Sequence, residues 1–289
     1  MVNYLLDFHE EPDETDIVSY SADNASINYD RICSVFQKLQ QLNPKIVKVN
    51  CNCHVLHNAV KHCMKLLSYD VESLVLKVFG EFSISAKRVE FDGPLCFRLW
   101  KQRLLLDWNA IKRYFREEGE NECNKIIWSF VANENSGLPE CYIYFVHHLL
   151  NLFVKSIKIL ESEYITPLDV YDVMASIKDD IEIRRNDSFF GVKANQEMQK
   201  VNEVDRNKFR SEALVAYERA EDYLNKWFDY ENSPFKAFKN VNVEKVAPTY
   251  EHFVEISKAV GVEDDIDNDA LYEEIRVLQK TLEAIKNLI

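Results

Sequence analysis

The chain has 289 residues, of which 47% are hydrophobic and 29% are charged, so it is long and apolar enough to fold around one or two cores. Only 6 glycines and 7 prolines interrupt it, which argues against a β-sandwich or β-barrel and favours long helices. The 35 basic and 48 acidic residues give a net charge of −13, which excludes a global electrostatic attraction to DNA, RNA or anionic lipid.

The first predicted elements are a strand, a helix and a second strand. Residues 17–22 and 46–49 are short runs rich in β-branched side chains, which predicts strands. Residues 29–42 have apolar side chains at helical spacing, and Asn43 and Pro44 end that pattern. A strand, a helix and a strand in this order predict a parallel βαβ unit.

Only helices are predicted beyond residue 50. Their ranges are 55–67, 71–79, 103–115, 124–131, 141–161, 166–184, 203–230, 251–260 and 270–288, and residues 186–200 are predicted to be a polar loop. Residues 141–161 are apolar almost all round, which is typical of the central helix of a bundle. The histidines and lysines within them argue against a membrane span. The predicted fold class is mainly α, with a small α/β unit followed by a large helical body.

Asp23 is the first candidate functional residue, because it directly follows the first predicted strand. Open α/β sheets place catalytic acids and metal ligands at the carboxyl ends of their strands. Aspartate and asparagine in this position also start turns. Spacing alone leaves both interpretations of Asp23 open.

Cysteine and histidine are concentrated just after the second predicted strand. Six of the thirteen residues from 51 to 63 are of these types, namely Cys51, Cys53, His54, His57, His62 and Cys63. Cys51 and His54 have the Cys-x2-His spacing of half a zinc site. No distant Cys-x2-Cys or His-x3-His pair completes four ligands, and packing and local hydrogen bonding would also account for these side chains. The seven cysteines are odd in number and scattered, which predicts reduced thiols and an intracellular location, nuclear or cytoplasmic.

Basic and aromatic side chains alternate in residues 98–116. The basic ones are Arg98, Lys101, Arg103, Lys112, Arg113 and Arg116, with Trp100, Trp108 and Tyr114 among them. Such a region would suit a nucleic-acid backbone, although the solvated face of an amphipathic helix has the same composition. The chain has no glycine-rich phosphate loop, no Gly-x-Ser-x-Gly and no His-Glu-x2-His.

The order of these motifs resembles the hAT superfamily of DNA transposases and the cellular proteins derived from them. The matching segments are YSADNAS at 20–26, CNCHVLHNAVK at 51–61, FSISAKR at 82–88 and LLLDWNAIK at 104–112. The resemblance implies an RNase H-like α/β domain interrupted by a helical insertion, in which three acidic residues bind divalent metal, usually Mg²⁺. It also implies that Asp23 is the second of these acids and that Cys51 and His54 belong to the active-site architecture beside it.

The chain also departs from this family pattern. Only 22 residues precede Asp23, which leaves no room for the earlier strands and the first acid, and the final glutamate helix and a BED-type zinc finger have no counterpart. We therefore expect a truncated, catalytically inactive transposase-derived protein, with a partial RNase H-like segment at 1–67 and a helical insertion domain at 68–289. It is expected to need no cofactor, and Asp23 would bind metal only if another chain completed the site.

The expected partners are proteins, with an intact transposase relative as one candidate, and neither a membrane nor tight DNA binding is expected. The alternative function is that of a DNA-binding remnant that uses residues 98–116. A third interpretation is a zinc-binding helical module unrelated to transposases.

Overall fold

The computed structural model describes residues 19–23, 25–30, 33–84, 104–105, 107–132, 137–243 and 247–286. Of these residues, 73% are helical and 3% lie in strands, which confirms the predicted mainly α fold class. The described part contains a two-stranded sheet and thirteen α-helices.

The strands are β1 (Ser19–Ala22) and β2 (Val47–Asn50). The helices are α1 (Ser26–Tyr29), α2 (Val35–Leu42), α3 (Asn52–Met64), α4 (Val71–Ile84), α5 (Trp108–Glu118), α6 (Lys125–Val131), α7 (Leu138–Leu160), α8 (Pro167–Asn186), α9 (Val192–Met198), α10 (Glu203–Trp227), α11 (Pro234–Phe238), α12 (Tyr250–Val260) and α13 (Asn268–Lys286). Residues 17 and 18 of the first predicted strand and Arg103 of a predicted helix lie outside the described residues.

The two strands pair in parallel, with Ser19 opposite Val47 and Ala22 opposite Asn50, as the sequence predicts. The connection between them differs from the single helix predicted over residues 29–42, because it contains two helices. The Ser34 side chain accepts a hydrogen bond from the Gln37 backbone N–H at 3.2 Å and so begins α2 as an N-cap. Apolar spacing alone predicts one continuous helix here, because it does not register a serine that caps a new helix.

Tyr29, the last residue of α1, fixes the ends of both strands. Its hydroxyl accepts a hydrogen bond from the Ala22 backbone N–H at 2.9 Å and donates one to the Val49 carbonyl at 2.6 Å. The Cys51 N–H donates to the Ala22 carbonyl at 2.8 Å, which extends the pairing by one step. The carboxyl ends of β1 and β2 therefore lie side by side at one edge of the sheet.

The chain divides into two compact units. Unit 1 draws on Met1–His57, Ser156–Ser176 and Leu224–Ile289, and unit 2 on Asn58–Lys155 and Ile177–Tyr223. In unit 1 the Asn50 side-chain amide donates to the Trp227 carbonyl at 3.0 Å, which ties the end of β2 to the end of α10. The predicted domain boundary at residue 67 stays a prediction.

Aromatic side chains of α7 and α10 form the core of unit 2. Tyr142 and Phe145 of α7 are fully buried, and their ring centroids lie 5.1 Å from Phe209 and 5.4 Å from Tyr217, respectively. This is the central position that the apolar sequence of α7 predicts. The helix is also long and apolar enough to cross a membrane, which is a weak indication because core helices share that character. The expectation of no membrane contact stays a prediction.

The polar loop predicted over residues 186–200 is wrong in part, because α9 occupies Val192–Met198. Gly191 precedes it with a φ of +102°, and Ala194 and Met198 are buried one turn apart. Two buried side chains among seven residues are too few to form a recognisable helical pattern in a polar segment.

His148 of α7 packs against the turn that leads into α9. Its ring lies edge-on to Phe189 with the centroids 5.4 Å apart, and its Nε2 is buried without a hydrogen-bond partner among the described residues. Burial, followed by the charges of Arg184 and His147, lowers the pKa of His148 to about 4. The imidazole is therefore neutral at physiological pH.

Candidate functional site

The candidate site lies at the carboxyl edge of the two-stranded sheet. Asp23 directly follows β1, and Cys51 directly follows β2. The Cys51 carbonyl accepts the first hydrogen bond of α3, from the Val55 N–H at 3.0 Å. Cys51 is thus the residue that precedes α3, at the end of the helix where unpaired N–H groups favour a negative charge.

His54 lies between Cys51 and Asp23. Its Nδ1 is 3.3 Å from the Cys51 sulfur, and its Nε2 is 3.9 Å from the Asp23 Oδ2. The His54 side chain is 53% exposed and that of Asp23 41% exposed, so both groups can be reached from solvent. The structure brings together the three site residues that the sequence singles out next to the sheet.

Cys51 and Cys53 carry large pKa shifts of opposite direction. A hydrogen bond from the Cys53 thiol, followed by the hydrogen bonds and charge of His54, holds the pKa of Cys51 well below its usual range despite its burial. The pKa of Cys53 is raised by its hydrogen bond to Cys51, then by burial and by the charge of Cys51. The pKa of His54 is raised by its hydrogen bond to Cys51 and by the charges of Cys51 and Asp23, although burial opposes this. These shifts favour the anionic form of Cys51 and the protonated form of His54, whose Nδ1 lies 3.3 Å from the sulfur.

The Asp23 carboxylate is held mainly by its own turn. Its Oδ1 accepts hydrogen bonds from the Asn28 side-chain amide at 2.6 Å and from the Ala25 N–H at 3.2 Å. The Ala25 contact, two residues along the chain, is the one that a turn-forming aspartate makes. The Tyr20 hydroxyl donates to the Asn28 Oδ1 at 3.0 Å and so orients the amide. These contacts are those of the turn-forming interpretation, and the metal-ligand role of Asp23 stays a prediction.

The remaining cysteines and histidines of the sequence cluster have separate surroundings. The His57 ring lies 6.5 Å from that of His54, and the His62 ring packs on Tyr223. The buried Cys63 thiol donates to the Val60 carbonyl, and burial raises its pKa to about 12. No group of three or more Cys, His, Asp or Glu side chains in the described part is arranged to hold a metal ion. Zinc binding at Cys51 and His54 therefore stays untested.

The basic region of residues 98–116 is described only in its second half. Arg98, Lys101 and Arg103 lie outside the described residues. The Lys112 Nζ lies 2.5 Å from the Glu140 Oε1, with the Lys112 side chain only 19% exposed. The Trp108 indole N–H donates to the same Glu140 oxygen at 3.0 Å.

The other two basic residues of α5, Arg113 and Arg116, differ in their exposure and contacts. The Arg116 Nε donates to the Val131 carbonyl at 2.5 Å, which links α5 to α6, whereas Arg113 is exposed. A shallow cavity of about 420 Å³ is lined by Asn109, Lys112, Arg113, Arg116 and Glu117. Lys112 and Arg116 therefore connect elements of unit 2 and also line this cavity.

No protein-family model matches the chain, and no curated protein or solved structure is significantly similar to it. The resemblance to the hAT superfamily therefore rests on the four sequence segments and on the position of Asp23. The sequence alone gives no role to Asn28, and it places Cys53 only in the general cluster. The Cys-x-Cys spacing of Cys51 and Cys53 at a strand–helix junction is the signal that would have indicated their contact.

Proposed function

We propose that this chain is a hAT transposase-derived protein that does not transfer DNA strands by itself and acts through binding of its helical body to other proteins. In this proposal β1, α1, α2 and β2 correspond to part of an RNase H-like sheet, and the helices that follow correspond to the family's insertion. The parallel pairing of β1 with β2 and the position of Asp23 at the end of β1 support this correspondence.

The observation that carries the proposed lack of catalysis is the set of contacts around the Asp23 carboxylate. In-line transfer of a phosphoryl group on metal ions needs carboxylate oxygens that face the ions. The Asp23 Oδ1 already accepts two hydrogen bonds, and the His54 imidazole stands beside Oδ2. A divalent cation at Oδ1 would have to displace the Asn28 amide, whereas Oδ2 lies 3.9 Å from the His54 Nε2 and stays open to solvent. One open carboxylate oxygen is too few to hold the metal ions that such a transfer needs.

A single reconstitution experiment tests both parts of the proposal. The purified chain, alone or mixed with an intact hAT transposase, is incubated with a labelled transposon DNA end and Mg²⁺ or Mn²⁺. We expect no cleavage by the chain alone, and co-elution of the chain with the intact transposase on size exclusion after nuclease treatment. Cleavage by the chain alone that is lost in Asp23→Ala but kept in the exposed control Asp187→Ala would contradict the first part. Separate elution would contradict the second part.

DNA binding through residues 98–116 is the second candidate function, and the cavity lined by three basic side chains of α5 favours it. The Lys112–Glu140 ion pair and the net charge of −13 oppose it, because both reduce the positive potential available to phosphates. We therefore expect no mobility shift of duplex or single-stranded DNA, even at low salt. DNA binding would be supported by a mobility shift that weakens as the salt concentration rises. The slope of log affinity against log salt concentration should then fall by about 1 in Arg113→Ala. The exposed Arg219→Ala is the matched control.

A further inference from the structure

We propose that the cavity beside α5 binds a small phosphorylated molecule that also carries hydroxyl groups, of the size of a sugar phosphate. The proposal rests on the volume of the cavity, on the three basic side chains that line it, and on Asn109 and Glu117, which can accept hydrogen bonds there. It does not depend on the proposed function, since it involves neither a transposase nor a protein partner. It also differs from the DNA-binding candidate, because it needs one phosphate group and no polymer.

The cavity follows one face of α5. Its lining residues are spaced at i, i+3, i+4, i+7 and i+8, which places them on the same side of the helix, namely Asn109, Lys112, Arg113, Arg116 and Glu117. Trp108, Ile111 and Phe115 are buried on the other side and anchor the helix. The volume of about 420 Å³ is within the range of small-molecule sites. Because every lining side chain is polar, the ligand that fits this cavity is itself polar.

Two of the three basic side chains are held in place by the protein. The Lys112 Nζ lies 2.5 Å from an oxygen of the buried Glu140, and an ammonium group has further donors for a ligand. The Arg116 Nε donates to the Val131 carbonyl at 2.5 Å, which fixes the plane of its guanidinium group. Side chains that are already ordered lose little conformational entropy when a ligand binds.

Arg113 is the third basic side chain and is exposed. Among the described residues none forms a hydrogen bond or an ion pair with it. Its planar guanidinium group matches two oxygens of a phosphate. Glu140 offsets the charge of Lys112, so Arg113 and Arg116 against Glu117 leave a net positive charge at the cavity, within a chain of net charge −13. The cavity therefore favours an anion.

Glu117 and Asn109 narrow the class of anion. A carboxylate repels a free phosphate ion, but it accepts hydrogen bonds from hydroxyl groups. The Asn109 side-chain oxygen is a second acceptor. A ligand that combines a phosphate with hydroxyl groups satisfies both the basic and the accepting side chains, whereas inorganic phosphate satisfies only the basic ones.

The first measurement compares three probes by isothermal titration calorimetry of the full chain at low salt. They are glucose 1-phosphate, inorganic phosphate and methyl glucoside. We expect glucose 1-phosphate to bind at least about five times more tightly than inorganic phosphate, and methyl glucoside to give no binding heat. Absence of glucose 1-phosphate binding, or equal binding of methyl glucoside, would overturn the proposal. Equal binding of inorganic phosphate would contradict the role of the hydroxyl groups.

The second measurement locates the site without any variant. Phenylglyoxal modifies exposed arginines, and peptide mass spectrometry gives the rate at each one. Glucose 1-phosphate at about 10 mM should slow the modification of Arg113 at least about threefold and leave the exposed Arg219 unchanged. Equal rates at Arg113 with and without glucose 1-phosphate would refute the assignment of the site.

Variants of two exposed residues then test the separate roles. Arg113→Ala should weaken glucose 1-phosphate binding by at least about tenfold, and Arg113→Lys by less, whereas Arg219→Ala should leave it unchanged. Glu117→Gln should act in the opposite sense on inorganic phosphate, which it should bind more tightly because the repulsion is removed. Circular dichroism confirms that each variant is folded. Unchanged binding in Arg113→Ala, or an unchanged ratio of the two affinities in Glu117→Gln, would contradict the proposal.

Discussion

Replacement of Gly191 by alanine is expected to lower the free energy of unfolding by about 3–5 kcal/mol. Gly191 has a φ of +102°, a backbone conformation that other residues rarely adopt. A Cβ at this position would lie 2.9 Å from both Cβ and Cγ of His148, which is closer than real Cβ atoms approach. The variant combines backbone strain with a steric clash against a packed side chain. Equilibrium urea unfolding, followed by circular dichroism, measures the loss.

Gly119 provides the matched control for this prediction. It has a φ of +85°, and no described heavy atom lies within 4 Å of a Cβ built on it. Gly119→Ala should therefore show the backbone strain alone, at about 1–3 kcal/mol. Equal losses of unfolding free energy in the two variants would mean that the clash of the added Cβ with His148 contributes nothing to the destabilisation. Partial recovery in the double variant Gly191→Ala, His148→Ala would locate the clash in the imidazole ring.

Acidification is expected to destabilise unit 2 through His148, by about 2–3 kcal/mol between neutral pH and pH 4. The pKa of His148 in the folded protein is about 4, below the value of 6.5 for an unperturbed histidine. Between these two values the unfolded chain binds a proton that the folded chain does not bind. The stabilisation is thus fully present above about pH 6.5 and is lost as the pH falls towards about 4.

Two measurements examine this pH dependence. Nuclear magnetic resonance of the imidazole C–H signals gives the pKa of His148 in the folded protein directly. Unfolding free energies at pH 7 and pH 5 should differ less in His148→Leu than in the wild-type chain, whereas His147→Gln should retain most of the difference. A His148 signal that titrates near pH 6.5 would refute the prediction.

The strands and the long helices could be predicted because their local patterns agree with their final packing. The β-branched Val47 and Val49 of β2, and the apolar length of α7, leave little choice of structure. The division between α1 and α2 depends on the Ser34 cap, which competes with a continuous helical pattern. The α9 helix could not be predicted, because it buries only Ala194 and Met198.

The candidate site could be predicted for a similar reason. Asp23 and Cys51 each follow a strand, and His54 follows Cys51 at the i,i+3 spacing that places both at the start of α3. The hydrogen bond from Asn28 to Asp23 and the contact between Cys53 and Cys51 depend on side-chain geometry that spacing does not determine. The Lys112–Glu140 ion pair joins residues 28 positions apart, so a charge pattern along one helix could not reveal it.

The two units are built from separate segments of the chain, so they are completed at different times during protein synthesis. Unit 2 draws on no residue beyond Tyr223, whereas unit 1 also needs residues 224–286. Translation at about 5–20 residues per second takes about 3–13 s to add those residues. Trp227, whose carbonyl accepts the hydrogen bond from the end of β2, is added at the start of that interval, and the rest of this last segment follows it. Unit 1 is therefore completed later than unit 2 during synthesis.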